Sequence, residues 1–261
     1  MQPLSLEQMA ELREAIDRDG YVVLRNVVSP ERLAGLQQRL LVAYQGSEKF
    51  KGGGSFSGHL NCYPGDSARF TLDEVRDAGI VDLVRSVNPA WADRIRATLN
   101  FNLPGSVAQH YHMDGLYLED FLVVNIAVVN TDLVNGAIDV LPGTNSRFYK
   151  FWQYAVQRKY RLTTRLEMQA GDVLIRRSTL WHRGMPNLSA VPRPLMSLTF
   201  GETSAPEGDP FAAPDVAFYP NWYSTSTLGR LRERVFVTAP ITYSSYRFVR
   251  SLRGNKGYAA F

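Results

Sequence analysis

The chain has 261 residues, 45% hydrophobic and 21% charged, proportions of a globular protein that exclude a fibrous or largely disordered chain. Its opening, MQPLSLEQMAELREAIDRDG, lacks the basic-then-apolar profile of a signal peptide, and no run reaches the length of a membrane span. The net charge is +4 and the single cysteine, Cys62, has no internal disulfide partner, so a cytoplasmic, reducing location is expected.

In chain order, Ser5-Leu6-Glu7-Gln8 has the form of a capping box, and Leu6, Met9, Leu12 and Ile16 follow at helical spacing, predicting a first helix that ends near Asp19-Gly20. Tyr21 to Leu24 is a β-rich run. Ser29-Pro30-Glu31 then places an N-cap and an N1 proline before Leu33, Leu36 and Leu40. Residues 46–65, with GGGSFSGHLNCYPG, read as a loop with aromatic insertions that would serve as a lid; His59 within it is a candidate substrate contact. A further helix is expected over Thr71 to Val87. From Ile95 onward the chain reads as short strands, ATLNFNLP, VAQHYHM, FLVVNIAVV, AIDVLP, GDVLIRR and LMSLTF, separated by Pro-Gly, Asn-Gly and Gly-Asp breaks. Arg147 to Arg165 is a polar and aromatic excursion of helical character. This order predicts a mainly β fold with flanking helices, a jelly roll or sandwich and not a βαβ sheet. With no linker in view, residues 1–261 are expected to form one domain: a helical buttress and lid loop over 1–95, a β core over 96–203 and a C-terminal extension over 204–261.

The positive charge is concentrated at the end. From Ser224 to Phe261, Arg230, Arg232, Arg234, Arg247, Arg250, Arg253 and Lys256 face Glu233 alone, a net +6. No helix-turn-helix, finger or RNA-recognition signature accompanies it, so this segment is read as a solvated face or an interface, and nucleic acid is not the expected partner.

The chemistry concentrates in QHYHMDGLY, residues 109–117. On a strand, His112 and Asp114 would share one face, with Met113 turned away and Gly115 closing the strand. His182 follows the strand-like GDVLIRR, and Arg193 comes 11 residues later at the entrance to the strand Leu195 to Phe200. Two histidines and one carboxylate on one face of an octahedron are the donor set of non-haem Fe(II) oxygenases. An inward arginine on a neighbouring strand offers a two-pronged clamp for a carboxylate.

These motifs, in this order, resemble the phytanoyl-CoA dioxygenase family of Fe(II)/2-oxoglutarate oxygenases. The resemblance runs from Asp19-Gly20-Tyr21-Val22-Val23 to about Phe200. It rests on Gln109-x-x-His112-x-Asp114, on the turn Asn135-Gly136-Ala137-Ile138-Asp139-Val140-Leu141-Pro142-Gly143-Thr144, and on His182-x-x-x-x-Asn187-x-Ser189 with Arg193 behind it. Thr144-Asn145 replaces the family's usual Ser-His, and Gly184 stands where some relatives carry a serine near the cosubstrate. Asp114 is present where halogenating relatives have a small residue, so halogenation is not expected.

The resemblance implies a double-stranded β-helix core, with His112, Asp114 and His182 as iron ligands. Arg193 would hold the distal carboxylate of 2-oxoglutarate, and Asn102 and Asn125 are further candidate cosubstrate contacts. Gln109, His110 and Tyr117 flank the metal segment as candidate substrate contacts. The implied cofactors are Fe(II), 2-oxoglutarate and O2, with succinate and CO2 released as a small-molecule substrate, such as a secondary metabolite, sugar or lipid-derived acid, is hydroxylated. A demethylase of the same chemistry acting on a macromolecule, or a non-catalytic metal-binding protein, are the alternatives. Tyr111, Tyr117, Phe121, Phe148, Tyr149, Phe151, Trp152 and Tyr154 lie near the expected mouth and point to a semi-apolar pocket.

Overall fold

The computed structural model describes residues 2–46, 58–218 and 238–252, with positions 227, 228, 231 and 235 between them. The first helix, α1 (Leu6–Asp19), begins at Ser5, whose side chain accepts from the Gln8 amide while the Gln8 side chain accepts from Ser5 N. After β1 (Tyr21–Leu24) comes α2 (Pro30–Gly46), which buries Leu33, Leu36 and Leu40. The single helix expected over 71–87 is two, α3 (Phe70–Asp77) and α4 (Ile80–Val87). Gly79, left-handed at φ 80°, breaks the run so that both short helices lay an apolar face on the sheet.

Seven antiparallel strands form the larger sheet in the order β1-β7-β4-β9-β3-β2-β10. They are β2 (His59–Tyr63), β3 (Ile95–Asn102), β4 (Leu122–Ala127), β7 (Val173–Arg177), β9 (Arg193–Phe200) and β10 (Ala217–Phe218) with β1. The smaller sheet, β6-β5-β8, comprises β5 (Ile138–Val140), β6 (Thr164–Leu166) and β8 (His182–Arg183). His59, expected in a loop, is the first residue of β2; of the lid expected over 46–65, residues 47–57 lie outside the described residues.

Alternation along the large sheet decides the architecture. Ala97, Leu99 and Phe101 of β3, Val124 and Ile126 of β4, and Met196, Leu198 and Phe200 of β9 point one way and join α1 to α4 in the main core. Arg96, Thr98 and Asn100, with Arg193, Leu195, Ser197 and Thr199, point the other way into the space between the sheets. Leu174, Leu195, Ala127, Val140 and Leu180 fill one part of that space, and the rest is a cavity.

Two expectations fail here. Residues 107–113 are not a strand: the segment's backbone pairs with the small sheet through a single two-way bridge, between His112 and His182, at 2.9 and 2.8 Å. The aromatic group does not line the cavity either. Tyr111, Tyr149, Phe151 and Tyr154 pack with Met113, Leu141 and Trp181 in a separate cluster, and of the eight aromatics only Phe121 reaches the cavity wall. The excursion at 147–165 supplies a short helix, α5 (Phe151–Val156), to that cluster. It is covered by α6 (Pro240–Leu252), where Ser251 Oγ accepts from Trp152 N. Arg247 of α6, expected on a solvated face or an interface, is 1% exposed and lays its guanidinium over the Phe151 ring at 4.7 Å; aromatic faces draw a cation into low dielectric.

Candidate active site

Of the chain's four histidines, His59, His112 and His182 line one cavity of about 520 Å³. His112 and His182 each have Nδ1 against a backbone carbonyl, that of His110 at 2.7 Å and that of Leu180 at 3.0 Å. A carbonyl only accepts, so each Nδ1 carries the proton and each Nε2 lone pair is free for a ligand. Both Nε2 atoms face Asp114 Oδ1, at 3.9 Å from His112 and 3.7 Å from His182. These three side chains are the group of donors fit to hold a metal ion among the described residues, with ligand atoms within 4.8 Å of one another. Burial pushes the His182 imidazole down to about 3, with Arg176 adding to the effect, and lowers His112 as well. Both are neutral at pH 7, as metal ligation requires.

Asp114 is held from behind. Its Oδ2 accepts from Arg176 Nη2 at 2.7 Å, and its backbone N donates to Ser178 O at 2.9 Å. Burial alone would raise the Asp114 carboxyl, but Arg176, His182 and His112 outweigh it and hold the group well below the usual carboxylate range. Arg176 in turn donates from Nε to Asn125 Oδ1 at 3.1 Å, and Asn125 Nδ2 donates to Ser197 Oγ at 2.7 Å. Asn125, expected to touch cosubstrate, thus lines the cavity while both ends of its amide are used by protein. Arg176 was not singled out in the sequence. Its signal was a cation on the same strand face as the apolar Leu174 in VLIRR, which charge patterning alone assigns to solvent.

The far end of the cavity is a row across three strands: His59 pairs with Asn102, and Asn102 with Arg193. Arg193 is 2% exposed; Nη2 donates to Gly136 O at 2.9 Å, while Nε and Nη1 have no partner among the described residues. Burial lowers its guanidinium to about 10, still protonated at pH 7. Asn102 Nδ2 donates to Met185 O at 3.0 Å and leaves Oδ1 unpartnered. His59 Nε2 lies 2.8 Å from Val107 O, so Nδ1 is an unpartnered acceptor, and burial pushes the ring down to about 4.

The family motifs build this end. Asn187 is fully buried, donating to Asn102 O at 3.1 Å and to Val191 O at 2.8 Å, and accepting from Ser189 Oγ at 2.7 Å. It closes the turn that leads Arg193 into β9. Gly136 has φ 92°, and a Cβ there would lie 2.6 Å from both Asn102 Nδ2 and Met185 O; only glycine lets its carbonyl reach Arg193. At Gly184 a Cβ would meet Gln109 Oε1 at 2.8 Å and His59 Cε1 at 2.9 Å, so the serine of some relatives would require both side chains to shift.

Gln109 lines the cavity and is tied to Gly184 twice, its N donating to Gly184 O and its Oε1 accepting from Gly184 N, each at 2.8 Å. His110 is turned out of the cavity, its ring 3.9 Å from that of Tyr243 on α6. Tyr117 lies against Phe148 with ring centroids 5.7 Å apart and does not reach the cavity wall.

The phytanoyl-CoA dioxygenase (PhyH) family model matches residues 16–195. The chain belongs to the phytanoyl-CoA dioxygenase family. The candidate metal triad and most of the cavity wall lie inside that span, whereas Ser197, Thr199, Glu202 and α6 lie beyond it. Similar solved structures include the non-heme α-ketoglutarate-dependent carbocyclase SnoK of nogalamycin biosynthesis, 16% identical with a TM-score of 0.59 over 82% of this family member and 90% of SnoK. EvdO2 from Micromonospora carbonacea var. aurantiaca, complexed with 2-oxoglutarate, is 15% identical with a TM-score of 0.54, over 77% and 95% of the two chains. EctD from S. alaskensis, with 2-oxoglutarate and 5-hydroxyectoine, is 18% identical with a TM-score of 0.55, over 81% of each chain. At these identities the likeness is one of fold. No described helix of this PhyH-family chain is long and apolar enough to cross a membrane.

Proposed function

We propose that this protein is an Fe(II)/2-oxoglutarate-dependent oxygenase that hydroxylates a small molecule. The observation that carries the reading is the meeting of His112, Asp114 and His182 in one cavity with Arg193, a buried cation whose Nε and Nη1 have no acidic partner among the described residues. Two neutral imidazoles and a carboxylate fit ferrous iron, because they occupy three positions and leave the rest to exogenous ligands. Arg193 fits the distal carboxylate of 2-oxoglutarate, because a buried guanidinium with unused N–H groups gains most from a fork-shaped anion. A cavity of about 520 Å³ has the size of small-molecule sites. SnoK, EvdO2 and EctD, named for this chemistry or solved with its cosubstrate, share the fold.

When bound, iron with 2-oxoglutarate and O2 would supply the power to oxidise an unactivated C–H bond, with succinate and CO2 as coproducts. The chain's own part is positional. The carbonyls of His110 and Leu180 fix the imidazole tautomers, Arg176 aims the Asp114 carboxylate, and Arg193 with Asn102 orients the cosubstrate. The buried wall behind Arg193 excludes water from that end.

The test is anaerobic addition of Fe(II) and then 2-oxoglutarate, followed by visible absorption, and then O2 with a panel of small metabolites while succinate is measured. A visible band that requires both additions, and succinate formation stimulated by a panel member that gains a hydroxyl, are expected. A band without any succinate would instead mark a non-catalytic binding protein.

A further inference from the structure

Resting on the oxygenase reading, we propose that the substrate of this site carries a carboxylate, and that the unused edge of Arg176 receives it. Arg176 is 5% exposed and lines the cavity. Nη2 is committed to Asp114 and Nε to Asn125, but Nη1 has no partner among the described residues. Leaving a charged donor buried and unpaired is costly, and a ligand acceptor at that position removes the cost.

The cosubstrate does not fill this role. Arg176 shares a cross-strand row with Val123 and Thr199, six residues along β9 from Arg193, a backbone separation of ~20 Å at strand rise. A five-carbon diacid anchored on Arg193 would commit its other carboxylate to the metal at the triad, so an acceptor for Arg176 Nη1 that is not a metal ligand has to come from a second molecule.

Charge points the same way. Three arginines, Arg96, Arg176 and Arg193, line the cavity against two carboxylates, Asp114 and Glu202, so its walls carry a net +1. Fe(II) and the dianion of 2-oxoglutarate cancel each other, and the loaded site keeps that +1. A monoanion neutralises it, whereas a dianionic phosphate would reverse its sign beside Asp114. The wall from the Arg193 end to the Arg176 row presents Thr98, Asn100, Ser197 and Thr199, three hydroxyls and one amide suited to a small hydroxy or amino acid and poorly suited to an acyl chain.

The experiment uses the anaerobic Fe(II)·2-oxoglutarate protein and a matched panel of small hydroxy and amino monocarboxylic acids, each beside its primary amide. Binding is read by perturbation of the visible band and by calorimetry. We expect at least one acid to bind about tenfold or more tightly than its amide, and Arg176→Lys, which keeps a cation by Asp114 but has no second edge, to abolish that preference. Amides binding as well as acids, no acid binding at all, or a full acid preference in Arg176→Lys overturns the proposal. The wild-type comparison stands even if the variant does not fold. Absence of the visible band itself would overturn the oxygenase reading and this proposal with it, whereas a normal band with no acid preference overturns this proposal alone.

Discussion

The cavity has two arginine-bearing ends that differ in how their charge is balanced. At the β7/β4 end, Arg176 already faces an anion, Asp114, and its neighbour Asn125 is held by Ser197. At the β2/β3/β9 end, Arg193 faces a carbonyl, that of Gly136, and no carboxylate among the described residues, while Asn102 and His59 each keep an unpartnered atom. The first end is assembled in advance to orient a metal ligand. The second is left short of an anion, as a site for a dissociable ligand should be, because a permanent acidic partner would have to be displaced at each turnover.

Four expected outcomes test this contrast. Asp114→Ala removes the one group that both imidazoles face, and should abolish iron-dependent succinate formation together with tight iron binding, measured by metal titration. Normal turnover by this variant would break the ligand assignment. Arg193→Ala should raise the KM for 2-oxoglutarate by about two orders of magnitude, the scale of losing one partner of a buried charge pair, with iron affinity little changed; equal losses in both would mean that the two ends are not separable.

The third outcome concerns His59, whose folded value of about 4 lies below the ordinary value near 6.5 because burial disfavours the imidazolium. The unfolded chain takes up this proton first as pH falls, so the stability associated with neutral His59 is complete above about pH 6.5 and is lost progressively towards pH 4, by about 3 kcal/mol. Urea unfolding of the metal-free protein across that range should show the decline, and His59→Gln should flatten His59's share of it. The smallest effect is expected from Asn125→Ala, which loosens Arg176 behind Asp114: iron affinity should drop about tenfold with the KM for 2-oxoglutarate unchanged. A change in 2-oxoglutarate binding alone would move Asn125 to the cosubstrate end.

Much of the site was legible because its parts are short, local patterns. Gln109-x-x-His112-x-Asp114 and His182 with Arg193 identify donor types that have few other uses together, and in the fold they converge. The strand geometry used to argue that convergence was nevertheless wrong for residues 107–113. An irregular segment pinned by the His112–His182 bridge does the same work, since ring orientation is set by the His110 and Leu180 carbonyls and not by pleat parity. The aromatic-rich excursion misled for a related reason: nearness along the chain to the metal segment did not say which side of the small sheet the rings would occupy.

Periodicity, caps and breaks by themselves determined the first helices and the run of strands, because these are written in spacings of two to four residues that backbone geometry enforces locally. The amino-acid order also named, through their motifs, the residues proposed here to bind metal and carboxylate. Only the tertiary structure decided that the polar faces of β3 and β9 look into a cavity and not into water, and that Arg176 stands behind Asp114. It alone brought His59 beside Asn102 and Arg193, and buried Arg247 on the aromatic cluster. Alternation states that a strand has two faces; which of them meets solvent depends on what packs against the sheet, and that partner is distant in the chain.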